Sequence, residues 1–485
     1  MASRRKFRSS CVVAVSTAFV VLCGCAGLPK STTPPPPTAN LNSINHIIFM
    51  AQENRSFDSH FGQLPAYWAA NGYPSQTVDV APSGDSNPGY AGAPNVTGFH
   101  LTTSCIENLS PSWNESHVDW NLTDPNSTTP AMNGFVWNAA NYARNENAAG
   151  AQPQFIDIQG YRAMGYYDSS DLPYYYFMAT NFATSDRWFA PALDRTQINR
   201  MYLMAATSHG YAYPPGTNAA DQAPINVPTI FDSLTTANVT WKIYATDNTC
   251  TNAGGESGGG GGFCTYLTQF SKYASSPLPS NVVDASQFLT DAAAGTLPAV
   301  SFIEPGYLTG KDEHPSSGTD VETGAAYVAS LMNGLMNSPS WKDSVFILTY
   351  DEAGGMYDHV LPQPMPSPDG ISPVDLASTD ACYNDYSNPL CNFQYTGYRV
   401  PLLVVSPFTK KNYISHTIMD YTAILKLIET RFSLQPLTQR DGAQADMTEF
   451  FDFTNVPWAT PPSNVPSQPG SGSCNAANLG YSQPE

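Results

Sequence analysis

The chain has 485 residues, 42% of them hydrophobic and 12% aromatic, enough to bury a large core and to exclude wholesale disorder. Only 13% are charged, about half the usual share for a soluble protein, and 40 Asp and Glu against 21 Lys and Arg leave a net charge of −19. A surface of that sign repels nucleic acid and argues against a nucleic-acid partner, although a metal or a local cluster can reverse the sign inside a pocket that handles phosphate.

Arg4, Arg5, Lys6 and Arg8 precede an apolar run over 11–22, too short to span a bilayer and suited to the core of an export signal. It ends Leu22-Cys23-Gly24-Cys25, which resembles a bacterial lipobox with Cys25 as the lipidated residue. The expectation is a leader over 1–24 and a lipoprotein attached to the outer surface of a membrane through Cys25, with ordinary secretion as the alternative. Residues 25–40 include Pro34, Pro35, Pro36 and Pro37, a stiff spacer. Removing the leader takes four basic residues and no acidic ones, so the exported chain is more acidic still. Six cysteines then remain beside Cys25: Cys105, Cys250, Cys264, Cys382, Cys391 and Cys474. In an oxidising compartment they read as disulfides, with Cys250–Cys264 and Cys382–Cys391 the natural short loops. No C-x-x-C pair occurs, which speaks against a structural zinc.

Along the chain, apolar runs rich in β-branched residues predict buried strands at 44–51, 240–245, 299–304, 345–350 and 401–406. Helices are expected at 229–238, 320–337 and 417–432, the last from Ile418, Tyr421, Ile424, Leu425 and Ile428 at helical spacing. Residues 73–147, dominated by Asn, Pro, Ser and Thr, read as a long irregular insertion. Residues 456–485 read as a wrapping or loose tail. The alternation of strand and helix argues for an α/β fold with a central, mostly parallel sheet covered on both faces, in one catalytic domain over 41–455. Gly255-Glu256-Ser257-Gly258-Gly259 matches a nucleophile-elbow pattern, but it sits in a glycine tract without the strand and helix an elbow needs.

Four clusters carry chemistry. Glu53-Asn54-Arg55-Ser56-Phe57-Asp58 follows the first strand, where open α/β sheets gather ligands, and offers hard oxygen donors to a divalent cation. The bland reading is a polar helix start capped by Asn54 or Ser56. Tyr350-Asp351-Glu352-Ala353-Gly354-Gly355, then Asp358-His359, follows another strand; adjacent carboxylates there repel unless a cation or proton lies between them. Its alternative is an acidic turn. Lys311-Asp312-Glu313-His314 sets a histidine beside two acids, suited to a general acid or to a solvated loop. Asp194-Arg195-Thr196-Gln197-Ile198-Asn199-Arg200 offers Thr196 as a helix N-cap, whose amide end also attracts anions.

Together these stretches resemble the bacterial phosphoesterase family, which holds haemolytic and non-haemolytic phospholipases C and a respiratory-burst-inhibiting acid phosphatase. The resemblance runs from Ile47 through Glu53-Asn54-Arg55-Ser56-Phe57-Asp58 to Gly62, then Thr196 to Arg200, Asp312-Glu313-His314-Pro315, Ser338 to Trp341, Thr349 to Val360, and Arg399-Val400-Pro401, in the family's order over about 44–432. It implies an alkaline-phosphatase-like three-layer sandwich. It further implies a divalent metal ion of unspecified identity held by Glu53, Asn54, Asp351 and Glu352, with the Thr196 hydroxyl completing the shell and acting as nucleophile. His314 and His117 (in Ser116-His117-Val118) would face the phosphoryl oxygens or the leaving group, with Glu313 and His359 as weaker neighbours. Ala353 stands where relatives often carry His or another polar residue. The reading is an exported hydrolase of phosphate esters, a phosphomonoesterase or a phospholipase C working through a phosphothreonine; the absence of room for large C-terminal domains favours a compact enzyme. A catalytically silent surface lipoprotein that binds a phosphorylated ligand is the alternative, and the oligomeric state stays open.

Overall fold

The computed structural model describes residues 40–214, 224–249, 263–274, 277–316 and 319–482. The expected leader, Cys25, the glycine tract with its elbow-like motif, and Cys250 of the expected Cys250–Cys264 pair lie outside the described residues.

Eight strands form the central sheet: β1 His46–Gln52, β2 Ala183–Ser185, β3 Trp241–Ala245, β4 Val282–Asp284, β5 Val300–Glu304, β6 Ser344–Tyr350, β7 Leu403–Val405 and β8 Tyr413–Ser415. Their order is β8-β2-β7-β6-β1-β5-β3-β4, and β7 alone runs against the others. The five strands expected from sequence are the five contiguous central ones, β7-β6-β1-β5-β3. All five residues of β5 and all seven of β6 are buried, so helices and loops cover both faces. Ile47, Ile48, Phe49 and Met50 of β1 expose nothing, and each such side chain contributes roughly 1.5–3 kcal/mol by leaving water. Phe49 stacks on Phe302 of β5 at 4.8 Å.

The helices that matter below are α1 Phe57–Phe61, α2 Trp113–Trp120, α3 Phe135–Ala149, α4 Pro173–Asn181, α5 Thr196–Ala205, α6 Ile230–Thr236, α7 Ser286–Ala294, α8 Val321–Met336 and α9 Ala423–Phe432. Expected helices appear as α6, α8 and α9, but the last starts late. Met419–Asp420 pairs in parallel with Trp188–Phe189, Ile418 is 43% exposed, and the chain turns helical only at Ala423. Ile418 matched the helical period by coincidence. The supposed irregular insertion holds α2 and most of α3; α3 buries Phe135, Val136, Ala139, Ala140 and Ala143, mostly alanines scattered among asparagines. Of the two readings of the tail, wrapping is the one observed: Cys474 bonds to Cys105, Ser104 donates its amide to Ser473, and Trp341 donates its indole N–H to the carbonyl of Trp458. Cys382–Cys391 is present as expected. Among the described residues no helix is long and apolar enough to cross a membrane.

Candidate active site at the strand ends

Strands β1 and β6 are parallel neighbours paired through Gln52 and Tyr350, so the residues that follow each strand emerge side by side. On one side these are Glu53 and Asn54, on the other Asp351 and Glu352. The two turns are sewn together. Asp351 donates its amide to the Gln52 carbonyl at 3.0 Å, Arg55 to the Glu352 carbonyl at 3.0 Å, and Asn54 to Asp351 Oδ1 at 3.0 Å. Asn54 takes a left-handed conformation at φ 63°, which its short amide tolerates better than most side chains. Gly354, at φ 72°, packs so closely on Asn54 that a Cβ would sit 2.3 Å from the Asn54 carbonyl oxygen. Only glycine fits there.

Helix α5 closes the site. Arg195, extended at φ −81° and ψ 175°, occupies the N-cap position, so Thr196 is the first helical residue rather than the expected cap. Asn199 clasps the approach: its Oδ1 accepts the Ala192 amide at 3.0 Å and its Nδ2 donates to the Asp194 carbonyl at 2.6 Å. One turn beyond Thr196, the fully buried Arg200 reaches across to Glu53 Oε1 at 3.1 Å, Asp351 Oδ2 at 3.4 Å and Glu304 Oε2 at 3.7 Å. On the other flank of Thr196, Asp194 and Arg195 act electrostatically on Glu352. Thr196 is thus bracketed along its helix by residues that address the strand-end carboxylates.

The donor types are those a hard cation takes. Asn54 Oδ1 and Glu352 Oε1 are buried oxygens with no hydrogen-bond donor, and Asp351 Oδ2 has the Arg200 guanidinium beside it without a formed hydrogen bond. Burial, and then the adjacent Asp351, raise Glu352 well above the usual carboxylate range, the behaviour of acids packed together without a counterion. Asp194 is raised likewise, first by burial.

The two histidines differ. His314 is half-buried in a loop whose Asp312 carbonyl accepts the Glu53 amide at 2.8 Å, so this loop abuts the metal-ligand candidates. His117 is fully buried on α2, stacked on Trp113 at 4.4 Å, with Nδ1 donating to the Trp113 carbonyl at 2.7 Å. Burial pushes it down to about 4, against the backbone of Trp113 and Leu390, so it is a neutral imidazole. Asp358 and His359, part of the second sequence cluster, join a separate network. His359 bonds Asp58 at 2.6 Å and Asp79 at 2.9 Å, while Arg399 bonds Asp58 at 3.0 Å and Asp358 at 2.8 Å. Asp58, Asp358 and His359 lie close enough to hold a metal, but Arg399 already balances their charge.

Sequence reading missed Arg200 as an actor, although its position four residues past Thr196 within a buried helix was the signal. It also missed Glu304, which ends β5 fully buried and accepts bonds from the Thr265 hydroxyl and the Tyr266 amide.

Comparison with known proteins agrees with the residue pattern. The phosphoesterase family model matches residues 44–435. Phospholipase C B of Mycobacterium tuberculosis is 30% identical over 97% of this chain and 88% of its own length. Non-specific phospholipase C1 of Arabidopsis thaliana is 28% identical over 87% of this chain and 74% of its own. Among solved structures, a protein in the alkaline phosphatase superfamily from Vibrio parahaemolyticus overlaps 79% of this chain and 78% of its own, at 13% identity and a TM-score of 0.32. With carboxylate turns, helix and histidine loop in the family's order and a family match over most of its length, the chain belongs to the phosphoesterase family and is a hydrolase acting on phosphoric ester bonds.

Proposed function

We propose that this hydrolase is exported and metal-dependent, and that it cleaves phospholipid diesters with Thr196 as nucleophile. Glu53, Asn54, Asp351 and Glu352 would hold one divalent cation, with the Thr196 hydroxyl beside it. Such a cation supplies Lewis-acid stabilisation of an alkoxide and of the charge on phosphoryl oxygens. Thr196 Oγ1, its proton given up to solvent, attacks phosphorus in line as the bond to the leaving oxygen breaks, and regains a proton from solvent when the phosphothreonine is hydrolysed. His314 delivers a proton to that leaving oxygen, then takes one from the water that hydrolyses the phosphothreonine from the same side. His117, being neutral, contributes the lone pair of Nε2 as a hydrogen-bond acceptor.

The observation that carries this reading is Arg200, one helical turn beyond Thr196, ion-paired with Glu53 and Asp351 at the strand ends. The phospholipase C names of the relatives favour a diester substrate over a monoester. A binding protein that had lost catalysis would have no need of a hydroxyl held in that place. The test compares turnover of p-nitrophenylphosphorylcholine and p-nitrophenyl phosphate, with and without chelator. Expected are preference for the diester, loss on chelation, and loss in Thr196→Ala and in Asp351→Asn; wild-type rates in either variant would refute the assignment.

A further inference from the structure

The loop that carries His314 is anchored by the residue before it. Glu313 exposes nothing to solvent and holds a left-handed backbone at φ 67°, unusual for a glutamate. Its carboxylate accepts the hydroxyl of Tyr175 from α4 at 2.5 Å, that of Tyr350 from the end of β6 at 2.7 Å, and the amide of Gln52 from the end of β1 at 3.1 Å. His60 Nε2 on α1 stands 3.5 Å away, and the Glu313 carbonyl accepts Arg55 Nη2 at 2.6 Å. On the remaining side lies Gly324 of α8, where a Cβ would come within 2.3 Å of Glu313 Cγ. Five elements grip one side chain.

We infer that Glu313 is a positioning residue, a buried carboxylate that fixes the backbone of 312–314 so that His314 meets the leaving group of the substrate. The inference rests on the role given to His314 above. Its donors are two phenols and an amide; burial holds both phenols protonated and keeps His60 neutral. A carboxylate so placed costs desolvation that an apolar residue of equal size would not, so its value is geometric. Gln52 also donates to the Lys311 carbonyl at 3.0 Å, and the His314 amide donates to Asp312 Oδ1 at 3.3 Å. The loop backbone is therefore held before, at and after Glu313.

The experiment measures kcat, KM and thermal unfolding of the full chain with p-nitrophenylphosphorylcholine. Glu313→Ala is expected to lower kcat roughly 100-fold with KM within about twofold, the penalty of a misplaced catalytic group. Glu313→Gln, which keeps one acceptor oxygen, should recover most of that loss. Tyr175→Phe and Gly324→Ala, remote from the reacting atoms, should show the same split in milder form, and they carry the test if Glu313→Ala does not fold. Combining Glu313→Ala with His314→Ala should be no worse than His314→Ala alone, because both remove one function. Losses that multiply, or a Glu313→Ala enzyme with wild-type kcat beside an impaired His314→Ala enzyme, would overturn the positioning role. Wild-type kcat in His314→Ala would instead sink the assignment of His314 itself.

Discussion

A guanidinium with no exposed surface needs counter-charge around it, and Arg200 finds that counter-charge in the very acids that a cation would need. It also donates to the Ala51 carbonyl at 3.1 Å, and the rings of Tyr266 and Tyr307 stand 4.9 and 5.2 Å from its carbon. Removing it leaves Glu53, Asp351 and Glu304 buried without a counter-charge. Arg200→Met is expected to lower stability by about 3–5 kcal/mol, read by urea denaturation in chelator, with part of the loss restored by a divalent cation. His359 is a second residue with a measurable signature. Burial opposes its charge, but Asp58 on Nδ1 and the nearby Asp358 raise it to about 9. A raised native value means that its contribution is complete below about 6.5 and disappears as pH rises through about 9. His359→Gln should therefore be less stable than wild type at pH 6 and equal to it above pH 9; parallel stability curves would contradict the ion network.

At the scale of elements, the site depends on two strands ending in register and on one helix arriving across them. Asn54 and Gly354 both adopt left-handed backbone to make the two turns fit, and the glycine does so in contact with the asparagine carbonyl. Gly354→Ala is expected to force the turns apart, costing about 1–3 kcal/mol of stability and roughly 100-fold in kcat. Thermal unfolding and steady-state kinetics check the two separately, and wild-type kcat would show that the turns tolerate separation. Ala353, between Glu352 and the glycines, is buried and has no side-chain oxygen to offer a cation.

Over the whole molecule, the tail after α9 returns to the far end of the chain through Cys105–Cys474, a bond that closes 369 residues, whereas Cys382–Cys391 closes nine. Loop-closure entropy makes the long crosslink the more stabilising one. Cys474→Ser should cost about 2–5 kcal/mol by denaturant unfolding and Cys382→Ser less; the reverse order would place the tail's importance elsewhere.

Much of this protein could be read from sequence because its signals are local. Seven-residue apolar stretches buried on both faces announce central strands wherever they occur, and Glu53-Asn54 and Asp351-Glu352 follow such strands directly. Edge strands β4 and β8 and the inner strand β2 have three residues each without the longer apolar run that marks the equally short β7, and α3 hides its apolar stripe in alanines. The local sequence suggested Thr196 as a cap, yet Arg195 takes that position and Thr196 opens the helix. Sequence alone determined which residue types stand at the ends of which strands. Only the tertiary structure decided that Arg200 would neutralise the acids, that Glu313 would be clasped from five directions, and that His359 would belong to another network. Those outcomes depend on charges brought together from positions more than a hundred residues apart, and a buried charge is settled by whatever surrounds it in space.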